Sequence, residues 1–267
     1  MIYQTIQLVS SSSLKFTCQR YNLFAIPKTN YLVSQILLFG QSMYFCAMQH
    51  FANHSEENYL KTLYKLENTQ VKKVNNIALA KALALNPATV LEMVRKMNEK
   101  NLVDVLADKT IQLTEKGKKK ALLIIRKHRL WEAFLVEKLN YKWNEVHDLA
   151  EQLEHVESDD LVKRLEVFLG FPSVDPHGDP IPDENGKVKK IKTQPLTDVA
   201  LKKKVTIVTL ANTSNEFLKY LDKSGLTVGD VIEVSDIETF DKSLTILHKK
   251  NSITLSNEAA KNMLVTV

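Results

Sequence analysis

Nine residues limit what this chain can fold into more than any others: His147-Asp148-Leu149-Ala150-Glu151-Gln152-Leu153-Glu154-His155. On a helix of about 3.6 residues per turn, positions i, i+4, i+7 and i+8 share a face. His147, Glu151, Glu154 and His155 would then form a strip of imidazole nitrogen and carboxylate oxygen aimed at one point. Upstream, His128 and Glu132 repeat the i, i+4 spacing in a second helical stretch, Arg126 to Leu139. Taken singly, each of these six is an ordinary residue of a solvated helix face. Taken together, they predict two helices whose polar faces meet over a divalent cation.

The segments before this pair carry a different pattern. Ser55-Glu56-Glu57-Asn58 reads as a helix start, and Tyr59, Leu60, Leu63, Tyr64 and Leu66 form an apolar stripe running to about Asn68. A short helix is expected over Asn76 to Ala84. A third begins at Pro87 with Asn86 as its cap, placing Val90, Met93, Val94 and Met97 at core spacing. This is a helix-turn-helix pattern. Two short apolar runs, Leu102 to Leu106 and Ile111 to Thr114, add a hairpin behind it and make the module a winged helix. Thr114-Glu115-Lys116-Gly117 opens a long basic helix, and the chain stays mostly helical to Gly170-Phe171-Pro172. Asp175-Pro176-His177-Gly178-Asp179-Pro180-Ile181-Pro182 and the polar stretch after it read as a linker. From Pro195 onward, β-branched runs at Val205–Leu210, Val231–Val234, Leu244–Leu247 and Ile253–Leu255 predict a small β-barrel, with a helical turn or two at Glu216–Leu221 and a short helix over Ser256–Met263.

Charge is distributed unevenly along the chain, although the net value is only +5. Between Lys72 and Arg129 bases outnumber acids, which suits a polyanion. From Glu132 to Glu166 acids dominate, which suits cations. Both cysteines, Cys18 and Cys46, lie in the first fifty residues, so the six candidate ligands work without thiolate or disulfide, as expected of a cytoplasmic protein. The opening segment has a serine run, no acids and an apolar patch too short and too interrupted by polar residues for a membrane span. It reads as an N-terminal extension outside the fold, with Met43 and Met48 as alternative starts. No membrane partner is expected.

In this order, winged helix, His/Glu helices, Pro-His-Gly linker and small barrel resemble the metal-dependent repressors of the diphtheria-toxin-repressor and manganese-regulator family. The resemblance covers about Ser55 to Val267. Its most specific stretches are Lys127 to Glu132, Val146 to His155 and Asp175 to Pro182. It implies an α+β multidomain fold: an N-terminal extension over 1–50, a winged helix-turn-helix DNA-binding domain over 51–122, an all-α metal-binding and dimerisation domain over 123–172, a linker over 173–194 and an SH3-like β-barrel of the FeoA type over 195–267.

By the same resemblance, His128, Glu151, Glu154 and His155 fall on family metal positions, and Glu132 and His147 on a neighbouring site of the iron-responsive branch. Asn58 stands at the ligand position of the first helix, and Glu216 near a barrel position that returns to the metal. Glu151 matches the manganese branch, where iron-responsive members carry cysteine. Carboxylate and imidazole without thiolate favour Mn(II), with Fe(II) as the alternative, although zinc would bind such groups more tightly. Two departures lie on the first helix: Asn58 offers only an amide oxygen where the family donates its ligand, and Lys61 replaces a glutamate of the manganese branch and cannot ligate while protonated.

The function implied is a cytoplasmic homodimeric repressor of manganese or iron homeostasis that binds operator DNA when metal is bound. The helix starting at Pro87 would enter the major groove, with Ala88, Thr89, Glu92 and Lys96 nearest the bases. Arg95, Lys109, Lys118 and Lys119 would contact phosphates. Two rivals are a metalloenzyme using the His/Glu cluster and a metal-independent DNA-binding protein. A di-iron enzyme would be expected to show Glu-x-x-His on two helices. Ile125, Asn144 and Gln152 stand three residues before His128, His147 and His155 instead.

Overall fold

Two asparagine caps, Asn86 as read from the sequence and Asn75 in addition, open the second and third helices. The computed structural model describes residues 55–68 and 73–267. The expected extension over 1–50, with its two alternative starts, lies outside the described residues. Helix α1 covers 55–68. Helix α2 (Asn76–Leu83) is capped by Asn75, whose side chain accepts from the Ala78 N–H, and Ala84 ends it in the left-handed region at φ 53°. Helix α3 (Pro87–Glu99) has Pro87 in its first turn and the Asn86 side chain accepting from the Ala88 N–H at 2.8 Å. The two helices meet at 110°, within the usual range of a helix-turn-helix.

Strands β1 (Val103–Val105) and β2 (Ile111–Leu113) pair antiparallel to form the wing. Tyr59, Leu60, Leu63, Leu79, Val90, Val94, Met97 and Val103 are buried in one core, so α1 is an integral part of the winged helix. Helix α4 (Glu115–Leu139) starts against this module with Thr114 capping the Gly117 N–H. A Cβ on Gly117 would sit 1.9 Å from the Leu102 carbonyl oxygen, so only glycine permits this approach. At about 1.5 Å per residue, the 25 residues of α4 make one rod from the wing to the His/Glu region.

Helices α5 (His147–Leu153) and α6 (Asp159–Phe168) return against α4. Leu130, Ala133, Leu165 and Leu169 form a second, small core there. The expected linker is not a loose tether in its first half. The Asp175 side chain accepts from the His177 and Asp179 N–H groups at 2.8 and 3.0 Å, and Arg126 and Arg129 of α4 donate to the Pro182 and Pro180 carbonyls at 2.7 and 2.6 Å. The turn formers therefore build a bracket clamped on α4.

The C-terminal part contains β3 (Thr193–Pro195), β4 (Lys204–Leu210), α7 (Asn215–Lys223), β5 (Val231–Ile237), β6 (Leu244–His248), β7 (Asn251–Leu255), α8 (Asn257–Lys261) and β8 (Met263–Thr266). By hydrogen bonding, the expected barrel is a six-stranded antiparallel sheet in the order β3-β8-β4-β5-β6-β7. Register shifts in β4 and β5 bend it, around a core that includes Ile207, Leu218, Leu221, Ile232, Val234, Ile246 and Met263. Trp143, in the α4–α5 loop, donates to Asp222 at 2.8 Å, and Thr209 donates to Asp179 at 2.9 Å. Both bonds tie the sheet to the helical part. Among the described residues, no single helix is long and apolar enough to cross a membrane.

Candidate metal centre

One turn of α4 separates His128 from Glu132, and both side chains are buried against the start of α5. His128 Nε2 lies 3.0 Å from Glu132 Oε1 and 3.2 Å from His147 Nδ1, and His147 Nδ1 lies 3.3 Å from Glu132 Oε1. Around an octahedral ion with bonds of about 2.2 Å, adjacent ligands are about 3.1 Å apart. The three atoms thus have the spacing of one octahedral face. Two imidazoles and one carboxylate with the opposite face open form a donor set that fits Fe(II) or Mn(II).

The other His128 nitrogen, Nδ1, meets Glu154 Oε2 at 2.6 Å. Burial works against a charged ring here, but the Glu132 and Glu154 carboxylates outweigh it and lift His128 to about 9. Glu132 is driven well below the usual carboxylate range: its burial opposes ionisation, but hydrogen bonds from His128, His147 and His177 prevail.

The six predicted ligands do not converge on one point. Helix α5 ends at Leu153, and Glu154 keeps the helical spacing for one more residue at φ −62°, ψ −21°. His155 instead places Nδ1 2.6 Å from Glu57 Oε2 of α1. Glu151 and Glu154 form a second donor group facing α1, where Lys61 Nζ contacts Glu151 Oε1 and Oε2 at 2.7 Å each and Glu154 Oε1 at 2.5 Å. Burial raises the Glu151 pKa, but the Lys61 charge more than reverses this and holds it low. Asn58 precedes Lys61 by three residues, and its Oδ1 is buried with no hydrogen-bond partner. An orphaned oxygen on this helix is consistent with a donor offered to a cation. Glu216 is exposed in the first turn of α7 and belongs to none of the metal-capable groups among the described residues.

Asp175 and His177 join the centre, although the sequence presents them only as turn formers. His177 Nδ1 is 3.6 Å from Glu132 Oε2, while its Nε2 donates to the Trp143 carbonyl at 2.9 Å. Burial again opposes charge on this ring, and Glu132 reverses it, to about 9. Asp175 is pushed up to about 7 by burial and by the neighbouring Glu132 and Asp179 charges, against Arg129 and His177. The only available signal was a histidine with flanking aspartates inside a turn motif. A cleft of about 510 Å³ opens over His128, Glu132, His147, His177, Lys61 and Thr209.

All nine candidate DNA-contacting residues, Pro87, Ala88, Thr89, Glu92, Arg95, Lys96, Lys109, Lys118 and Lys119, are exposed on α3, the wing turn and the start of α4. Glu92 and Lys96 pair at 2.8 Å across one helical turn.

A winged helix whose first helix and long exit helix both reach a buried imidazole–carboxylate centre defines a class, the metal-dependent DNA-binding repressors. Family descriptions match in the same order: iron dependent repressor, N-terminal DNA binding domain, over residues 53–111; iron dependent repressor, metal binding and dimerisation domain, over 114–183; and FeoA domain over 194–267. The diphtheria toxin repressor of Corynebacterium diphtheriae is 33% identical over 215 residues, 76% of this chain and 93% of that protein. An iron-dependent repressor of Mycobacterium tuberculosis is 40% identical over 126 residues, 47% of this chain and 54% of its own length, so the match spans about half of that relative. A solved manganese-dependent transcriptional repressor in complex with manganese superposes with a TM-score of 0.71 at 32% identity, covering 79% of this chain and 99% of that one. The manganese regulator SloR gives 0.62 at 31% identity, covering 79% and 97%. The chain belongs to the iron-dependent repressor family that includes the diphtheria toxin repressor. This is a family of transcriptional repressors rather than enzymes, which removes the metalloenzyme alternative.

Proposed function

We propose that this chain is a metal-activated transcriptional repressor of manganese or iron homeostasis, acting in the cytoplasm as a homodimer on operator DNA. The observation that carries the reading is the set of three contacts, 3.0 to 3.3 Å long, among His128 Nε2, Glu132 Oε1 and His147 Nδ1. These residues would hold the activating ion. Asn58, Glu151, Glu154 and His155 are metal positions by the resemblance and lie on the α1 side of the centre, where Lys61 already bonds both glutamates, and Glu216 has no support beyond the resemblance. Mn(II) is preferred over Fe(II), because the candidate donors are carboxylate and imidazole throughout, with no thiolate to favour a softer metal.

A bound ion supplies the positive charge that draws these donors together. The residues do the rest. α1 is packed in the winged-helix core through Tyr59, Leu60 and Leu63 and faces α5 through Glu57 and Lys61, while α4 runs unbroken from the wing to His128 and Glu132. Tightening the centre therefore fixes the orientation of α3, and operator binding must strengthen metal binding in return. Pro87, Ala88, Thr89, Glu92 and Lys96 would then face bases, with Arg95, Lys109, Lys118 and Lys119 on phosphates.

Dimerisation is supported by the exposed apolar residues Leu139, Leu161, Val167, Phe168 and Phe171 at the α4 C-terminus, on α6 and just beyond it. On this reading the chain divides at 122/123, 172/173 and 194/195. The test is anaerobic operator binding with and without Mn(II) and Fe(II), for the wild type and Glu132→Gln, with sedimentation of Phe168→Glu alongside. Metal-stimulated binding that Glu132→Gln abolishes, and a dimer that Phe168→Glu splits, are expected. Equal binding without metal would instead support a metal-independent DNA-binding protein.

A further inference from the structure

The second donor group differs from the first in already holding a cation. An ammonium has three N–H donors, and the three of Lys61 match three oxygens: Glu151 Oε1, Glu151 Oε2 and Glu154 Oε1. The fourth carboxylate oxygen, Glu154 Oε2, is taken by His128 Nδ1. Every oxygen of the two glutamates is therefore satisfied from within the chain. The lysine is no surface residue swung inward, since its side chain is 6% exposed and that of Glu154 0%.

We propose that Lys61 is a built-in cation that fills the carboxylate half of the centre. Each subunit then takes up one divalent ion, at His128, Glu132 and His147, and α1 is fastened to α5 by an ammonium instead of a second ion. The inference rests on the metal-activated reading above and adds how many ions the site holds and why.

Charge and tethering both favour it. Two carboxylates and one ammonium leave a single negative charge, too little to hold a dication beside an ammonium that stays in place. Expelling Lys61 would strip a buried charge of three hydrogen bonds and require its stem to leave a packed helix face. The lysine is also attached to the fold, so an external ion competes with a partner of high effective concentration. Asn58 adds no compensating charge: it brings a neutral oxygen to the same side of α1. Without Lys61, that oxygen and the two glutamates would be left facing each other with no ammonium bonded between them, since Lys65 one turn along α1 acts on both carboxylates only through its charge, and this is the condition for a second metal to enter.

Manganese stoichiometry tests this. Wild type and Lys61→Met, a variant that keeps most of the stem volume, are equilibrated anaerobically with excess Mn(II), freed of loose ion and analysed for metal per chain, with electron paramagnetic resonance of the bound ion. The expected result is one ion per wild-type chain with the spectrum of isolated Mn(II). Lys61→Met should bind two, with a signal broadened by a close Mn(II) pair. Two ions per wild-type chain would overturn the inference and leave metal activation standing. No bound ion would remove the metal reading itself, and this inference with it. One ion in a folded Lys61→Met would also overturn it, because lysine would not be what keeps the second ion out. Should the variant not fold by circular dichroism, the wild-type count decides alone.

Discussion

The Lys61–Glu154 contact can be weighed in the metal-free protein by a double-mutant cycle. The pair is 2.5 Å apart with side chains 6% and 0% exposed, so neither charge is relieved by water. Removing one partner of a buried pair typically costs about 3–5 kcal/mol, because the other charge is stranded. Glu154→Gln should fall below that range, at about 2–3 kcal/mol, since Lys61 keeps both oxygens of Glu151 and the amide still offers an acceptor. Lys61→Met should reach about 3–5 kcal/mol, because it leaves two opposed carboxylates without their ammonium, with His128 on Glu154 and the His147 and His155 rings 3.5 and 3.8 Å away as their remaining close neighbours. The double variant strands neither group, so its cost should fall short of the sum by about 2 kcal/mol. Urea unfolding in EDTA measures all four proteins. For a fold of this size, about 2–4 °C is lost per kcal/mol, so Glu154→Gln should also melt roughly 5–10 °C lower. Additivity within about 0.5 kcal/mol would refute the pairing and the packing of α1 on α5 that it implies.

Two further outcomes follow from particular contacts. Gly178 sits at φ +86°, and an added Cβ would lie 1.9 Å from the Val208 carbonyl oxygen, so Gly178→Ala should destabilise the fold by about 2–4 kcal/mol; unchanged unfolding by urea would mean that the bracket does not pack on β4. His128 is raised from 6.5 to about 9 in the metal-free fold, so its proton stabilises that fold fully below about pH 6.5, and this contribution is lost as pH climbs toward 9. Because a metal needs the neutral ring, Mn(II) affinity should rise across the same window, with about one proton released per ion near pH 7; calorimetric heats that do not depend on buffer ionisation would contradict this.

Much of the fold was legible because its signals are local. A cap acts within two or three residues, so Asn86-Pro87 and Thr114 to Gly117 mark helix starts that need no distant partner. The i, i+4 spacing of His128 and Glu132 needs only a helix to become a face, and the β-branched runs after Pro195 need only to pair. Sequence by itself thus determined the winged helix, the long basic helix, the ligand-bearing pair and the β-rich end. Tertiary structure alone decided which side chains meet. Lys61 finds Glu151 across 90 residues of chain and His155 finds Glu57 across 98. The bracket likewise brings His177 to Glu132. A periodic pattern states which face of a helix is polar, but not which neighbour that face will touch or whether water is excluded there. Those follow from how α1 and the bracket close on α4 and α5. That closure turned one predicted strip of ligands into an imidazole–carboxylate triad beside a pair of carboxylates already neutralised by lysine.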